Sequence, residues 1–406
     1  MHNILILGGN FGGVSIAHYC LRHVLPLVNT GDKSEYKVTL ISPSDHTFFK
    51  IGAPRALVSA ELIPREKPFA SIIDAFSNYN SSEFTFVQGE AIAVNEKEVI
   101  VKSTKSSTNL AIEYDSLIIA TGTRSSPLWT LNGDYKLTTA AFEDLHQRLP
   151  RAETILVAGG GAAGVETAGE IGHLYREKDT TILSGSTRLL PRLQNVRVAK
   201  AAESQLESLD VKIIHNLKVV SSSQLPDGKT TLTFSDGTTR IVDVYIDATG
   251  GTPNTDFLPA GWLDDNKRVA TDPITLRATK APASVYSLGD VASYSKGAAI
   301  DAMWAVPALG YSIWSDIAKE KETKGIIPAG SLKEKRYKQI QADMQFVPIG
   351  KPRKSWTDRF LHRPKGGVGV IFGWMVPSWL VWLAKSRTFM MDKAPGLATG
   401  DQFLKP

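Results

Sequence analysis

The chain writes one unit twice, and that repeat constrains its fold more than any other feature. Residues 4–7 form an apolar run that leads into Gly8-Gly9-Asn10-Phe11-Gly12-Gly13. The stretch "VSIAHYCLRHVL" follows with helical spacing of its apolar positions. The second copy, "ETILVAGGGAAGVETAGEIGHLY", places Gly159, Gly161 and Gly164 between a short apolar strand and another helix. Each copy is closed by an apolar strand ending in Ala-Thr-Gly, at Ala120-Thr121-Gly122 and at Ala248-Thr249-Gly250. One glycine turn is weak information, but two strand–turn–helix units with the same closing strand make an internal repeat. The predicted class is α/β, with two Rossmann-like dinucleotide-binding domains and an α+β region at the C-terminal end.

The physical roles of the glycines are separable. The first makes the tight bend, the second lets backbone approach a pyrophosphate, and the third lets helix and strand pack closely. Gly8 and Gly13 take the first and third roles in the opening turn, while Asn10 stands in the middle one. Asparagine is the least damaging replacement if the turn needs a left-handed backbone there, and its amide is able to donate to a phosphate oxygen.

Composition narrows the chemistry. A length of 406 residues accommodates two or three domains. Cys20 is the single cysteine, so no intrachain disulfide, CxxC redox pair or cysteine-rich metal site exists. A net charge of +5 permits anionic partners, but no nucleic-acid motif accompanies it. The opening apolar run is too short for a signal peptide, and His2 after Met1 excludes N-myristoylation. The expectation is a protein on the cytoplasmic side that is not secreted.

The C-terminal end departs from this pattern. Residues 366–384 carry no charge and include Trp374, Trp379 and Trp382, with Gly366, Gly367, Gly369, Gly373 and Pro377 interrupting any long helix. This predicts a strand, a turn near Gly373 and a short helix from about Val376. Lys351, Arg353, Lys354, Arg359, Arg363 and Lys365 precede the stretch, and Lys385 and Arg387 follow it. Tryptophans flanked by cations suit contact with a membrane interface rather than a span. A buried hairpin is the other reading, and the two are compatible.

These motifs, together with "APRAL", "VYSLGDVA" and the tail ending in Lys385-Ser386-Arg387, resemble the two-dinucleotide-fold flavoprotein reductases of the glutathione-reductase-like superfamily. The resemblance is nearest to the apoptosis-inducing-factor-2-like group, which includes ferroptosis suppressor protein; type II NADH:quinone dehydrogenases are more distant. It implies FAD in the first fold and NAD(P)H in the second. By position, the FAD contacts are Gly8, Gly9, Asn10, Phe11, Gly12 and Gly13 at the turn, Arg55 at a phosphate or the flavin, Ala91 near adenine, Thr121 and Gly122, and Asp290 at the ribityl chain. Arg55 has a surface ion pair as its other reading, and Asp290 a helix cap. Lys50 is a further flavin-region candidate. An acid usually takes the ribose hydroxyls at the end of the second strand; Ser42 stands there, with Asp45 three residues on.

In the second fold Gly159, Gly161 and Gly164 form the turn. The following strand ends at Ser184 rather than at an acid, which leaves NADPH admissible beside NADH. Ser184, Ser186 and Arg188 together form a candidate phosphate site; Arg188 as a solvated loop cation is the other reading. The resemblance places Glu166 near the nicotinamide or flavin and Lys385 near the acceptor, and it makes both catalytic candidates. Glu170, one turn beyond Glu166, reads as structural. Met303, Trp304 and Pro307 either wall an acceptor pocket or belong to the core.

Without a cysteine pair the electrons must leave to a diffusing acceptor, and a quinone fits. Oxygen or a biosynthetic intermediate, as in a tailoring oxidase, is the second reading. A redox-linked cell-death signalling protein that binds a partner or DNA is the third. The expected layout is an FAD domain over 1–125 and 257–325, an inserted NAD(P)H domain over 126–256, and a flavin-covering, membrane-contacting region over 326–406. A lipid droplet or the mitochondrial outer membrane is a candidate surface, and a homodimer is compatible with this layout.

Overall fold

A computed structural model describes residues 1–29, 35–104, 108–350 and 366–406. The basic run from Lys351 to Lys365 lies outside the described residues. Two sheets, each built on parallel central strands, carry the repeat. In the first, His2–Leu7 lies between Tyr36–Ser42 and Ser116–Ile119, and Val285–Ser287 pairs with the outer side of Ser116–Ile119. Phe84–Val94, Glu98–Ser103 and Asn109–Glu113 extend it to seven strands. In the second, Thr154–Ala158 lies between Asp179–Ser184 and Val244–Asp247, with Lys212–His215 at the edge. Ile4, Leu5, Ile6, Ile155, Leu156 and Val157 are fully buried, as expected of central parallel strands covered on both faces. The helix Phe11–Tyr19 follows the first turn, and Ala162–Leu174 follows the second.

The repeat holds at the level of individual contacts. Gly8 and Gly159 have φ of +115° and +124°, and a Cβ on either would meet the carbonyl of Ala120 or Ala248 at 2.4 and 2.2 Å. The alanines of the two Ala-Thr-Gly turns therefore press on the first glycine of each unit. A Cβ on Gly13 or Gly164 would strike the carbonyl of that same glycine, Gly8 or Gly159. No side chain fits at these four positions without moving backbone.

The chain passes between the two sheets through a short antiparallel pair, Thr123–Arg124 with Thr252–Pro253. Both crossings thus lie side by side. The helix Ala299–Thr323 packs on the helix Phe11–Tyr19, and Pro307 is accommodated within it.

At the C-terminal end, Gln345–Val347, Val368–Ile371 and Trp374–Val376 form an antiparallel sheet. Phe372 and Gly373 make its two-residue turn with φ of 48° and 82°, both positive as such hairpins demand. The helix Ser378–Val381 follows and continues into the π-helical turn Trp382–Ser386. This is the strand, turn and helix that the glycine and proline spacing predicts. The last residues are fastened to the first glycine-turn helix. Buried His18 donates from Nε2 to the Ala398 carbonyl at 2.8 Å, and Arg22 donates to the Thr399 carbonyl at 2.7 Å. Burial pushes the His18 ring down to about 4, so it stays neutral.

Candidate active site

A cleft opens along the C-terminal ends of the first sheet. Gly8, Gly9, Asn10, Phe11 and Gly12 line it, as do Ala91, Thr121, Gly122 and Asp290. Gly13 does not; it stands behind the turn, where it lets helix and strand touch. The register of Phe84–Val94 shifts between Ala91 and Ala93, and such a bulge leaves backbone groups there outside the regular ladder. Lys50 donates to Asp290 at 3.0 Å within the cleft. Burial raises the Asp290 carboxyl, but the Lys50 ammonium and hydrogen bonds from Lys50 and Ser295 outweigh it and hold the group below its ordinary value. Asp290 therefore presents a charged acceptor to the cleft.

Several expectations change here. Asn10 is extended, with φ of −122°, so the turn never needs a left-handed backbone at this position. Gly161, its counterpart, is likewise extended at φ of −76°. The Asn10 side chain turns away and accepts the Phe48 N–H at 3.1 Å through Oδ1, tying the turn to the next loop. Ser42 lies under Gly9, where a Cβ would meet its side chain at 2.6 Å, and Ser184 lies under Gly160 in the same way. The two serines are thus equivalent, small residues that let each turn settle on the sheet. Asp45 pairs with His46 at 2.7 Å.

Arg55 is not among the residues that line the cleft. It holds Glu170 through two hydrogen bonds of 2.8 and 3.0 Å and donates to the Ser386 carbonyl at 2.8 Å. Its guanidinium also covers the Phe389 ring at 4.3 Å. Of the two readings of Arg55 the geometry shows the ion pair, a clamp that joins the first fold, the second fold and the C-terminal region. Glu170, read as structural, is its carboxylate partner.

The Ser184 hydroxyl is buried and donates to the Arg188 carbonyl at 2.8 Å. Arg188 turns its guanidinium onto the carbonyls of Leu193 and Pro191 at 2.6 and 3.2 Å. Neither side chain faces outward to receive a phosphate as the sequence reading expected, because both are used to close their own loop. The turn itself stays accessible: nothing lies within 4 Å of a Cβ placed on Gly161.

Glu166 and Lys385 do come together. Lys385 Nζ donates to Glu166 Oε1 at 2.5 Å and to the Phe346 carbonyl at 3.3 Å. Burial raises the Glu166 carboxyl to about 7, against the opposing pull of the Lys385 charge. Ala299 lines the cleft and also packs on the core that contains Val165 and Phe389, neighbours of this pair in sequence. Met303 packs on the same core, whereas Trp304 is exposed.

The cleft also has walls that the motifs did not reveal. Trp129, Thr130, Leu131 and Asn132 come from the loop beyond the interdomain crossing, and Asn254 and Phe257 from the return crossing. Trp129 donates from its indole to the Asp247 carbonyl at 2.5 Å, which ties that wall to the second sheet. A lone tryptophan in a Ser/Pro-rich loop was the available signal.

Residues 2–307 match the family described as pyridine nucleotide-disulphide oxidoreductase. The chain belongs to this family. It is an oxidoreductase whose cofactors are FAD and NAD(P)H, and the cleft and the two turns fit them. The oxidoreductase phnG of Penicillium herquei is 32% identical over 426 residues, spanning 99% of this chain and 97% of its own. Ferroptosis suppressor protein 1 of Taeniopygia guttata is 24% identical over 405 residues, 96% of this chain and 94% of its own. In fold, the chain is similar to the NDH2 of Plasmodium falciparum in complex with RYL-552, with a TM-score of 0.66 and 15% identity over 98% of this chain and 96% of that one. The disulphide in the family's description has no counterpart here. Cys20 is alone and buried, and burial pushes its thiol up to about 12.

Proposed function

We propose that this oxidoreductase passes two electrons from NAD(P)H through FAD to a quinone, as a peripheral protein on the cytoplasmic side of a membrane. The observation that carries the reading is the helix Ser378–Val381 with its π-helical continuation. One face brings Lys385 to Glu166, while Trp379 and Leu383 on the other stand 56% and 54% exposed. Beside them the hairpin exposes Phe372, Trp374 and Met375, with Trp374 at 80%. An apolar, tryptophan-bearing face of this kind suits a lipid interface and a lipid-borne acceptor. Among the described residues no helix is long and apolar enough to cross a membrane. The likeness to ferroptosis suppressor protein 1 over nearly the whole chain supports placing it near the apoptosis-inducing-factor-2-like group.

When bound, FAD supplies the capacity to take a hydride from NAD(P)H and release two electrons to an acceptor. Reducing a quinone to a hydroquinone uses that hydride equivalent and one further proton. Glu166, raised to about 7, exchanges its proton near neutrality, and Lys385 Nζ both orients its carboxyl and relays to it. Lys50 and Asp290, which line the cleft, orient the cofactor there.

A second reading directs the electrons to oxygen or to a biosynthetic intermediate. The higher identity to the Penicillium oxidoreductase, 32% against 24%, favours it. Steady-state NADPH oxidation separates the two. Turnover that requires a quinone and rises when it is presented in vesicles supports the first reading. Equal turnover with oxygen alone contradicts it and supports the second.

A further inference from the structure

Resting on the reading of the second fold as the NAD(P)H site, we infer that the chain prefers NADPH and that Lys218 is the residue that recognises its 2′-phosphate. The adenosine ribose of a nucleotide on the Gly159 turn projects its 2′ position toward the end of the strand Asp179–Ser184. An acid there would repel a phosphate; Ser184 is neutral, and residues 185–188 carry no carboxylate. The nearby Glu203 is occupied, accepting the Leu189 N–H at 3.0 Å and lying 3.4 Å from His215. Arg188, the obvious cation, is turned onto the Pro191 and Leu193 carbonyls.

Lys218 is differently disposed. Its stem lies across Gly185, with Cγ and Cε each 2.8 Å from where a Cβ on that glycine would stand. A side chain at 185 would displace the lysine stem from this path. The main chain of Lys218 is fixed to Ser235, which accepts its N–H at 3.2 Å and donates to its carbonyl at 2.9 Å. Lys218 itself is exposed, and among the described residues its ammonium has no carboxylate partner. The result is a cation without a carboxylate partner, laid over the loop that follows the strand. That arrangement suits a phosphate monoester and offers a 2′-hydroxyl little.

The test measures dissociation constants on the FAD-loaded protein by calorimetry, using adenosine 2′,5′-bisphosphate and adenosine 5′-monophosphate as probes, then NADPH and NADH. Neither adenosine probe transfers hydride, so the result is independent of the electron acceptor. The wild type binds each 2′-phosphorylated member of the pair about tenfold or more tightly. Lys218→Ala removes that advantage without weakening the unphosphorylated member, Lys218→Arg keeps it, and Lys218→Glu inverts it. Equal binding of both members by the wild type overturns the inference, as does an advantage that survives Lys218→Ala and is lost in Arg188→Ala. Failure of all four nucleotides to bind would instead overturn the assignment of the second fold. Retained FAD colour and melting temperature show that each variant is folded.

Discussion

Lys385 and Glu166, 219 positions apart, meet at 2.5 Å across the junction between the C-terminal region and the second glycine-turn helix. The contact joins a residue on an outward-facing, apolar segment to a buried acid whose carboxyl titrates near neutrality. Lys385→Ala therefore lowers quinone turnover by about 100-fold, the lower end of what positioned acid–base groups contribute. Flavin reduction by NAD(P)H in a rapid-mixing experiment stays near the wild-type rate. Because the folded Glu166 value lies above its ordinary 4.5, the acid is protonated below about 7 and loses its proton as pH rises through 7. Quinone turnover falls over that window in the wild type, and Glu166→Gln flattens the profile. The same raised value means that the proton's contribution to stability is fully present below 4.5 and is lost through about 7.

Arg55 is predicted to matter for assembly rather than for cofactor charge. Arg55→Ala leaves Glu170 buried without its partner and frees the Ser386 carbonyl. Removing one member of a buried pair costs roughly 3–5 kcal/mol. Denaturant unfolding should show a loss of that size, and Arg55→Lys should recover only part of it, since one ammonium cannot reproduce the two-pronged contact. Proteolysis should meanwhile release the C-terminal region first.

The two turns can be tested separately. Gly8→Ala forces a Cβ onto the Ala120 carbonyl, and Gly159→Ala does the same at Ala248. The first variant should purify without flavin colour. The second should keep its colour and fail to bleach with NADPH or NADH. Absorption spectra before and after the nucleotide decide both outcomes.

The exposed tryptophans predict a membrane effect that is separable from chemistry. Replacing Trp374 and Trp379 together by Ser should lower co-sedimentation with phospholipid vesicles by about tenfold or more. Turnover with a water-soluble quinone should be preserved.

What the sequence disclosed was mostly local. The glycine turns, the Ala-Thr-Gly strand ends and the Phe372-Gly373 hairpin follow from backbone constraints that lie within a few residues, so spacing was enough to find them. Glu166 and Lys385 were each singled out through the family resemblance, but their pairing was not foreseen, since no local pattern links positions so far apart. For Arg55 and Arg188 the sequence left two readings open, because a guanidinium's partner is chosen by tertiary packing: Glu170 is 115 positions away, and the Leu193 carbonyl is available only once its loop folds back. The backbone at Asn10 was undecided from the sequence for a different reason. The middle position of the turn is extended in both copies, so what glycine supplies there is closeness to a ligand rather than a special φ.

The most direct measurement mixes the purified protein with NADPH under anaerobic conditions while its visible flavin band is followed, and then adds a quinone. The account predicts that the band bleaches on the first addition and returns on the second, with one hydroquinone formed per flavin reoxidised. A band that does not bleach with NADPH or NADH, or one that bleaches and returns only when oxygen is admitted, would contradict it.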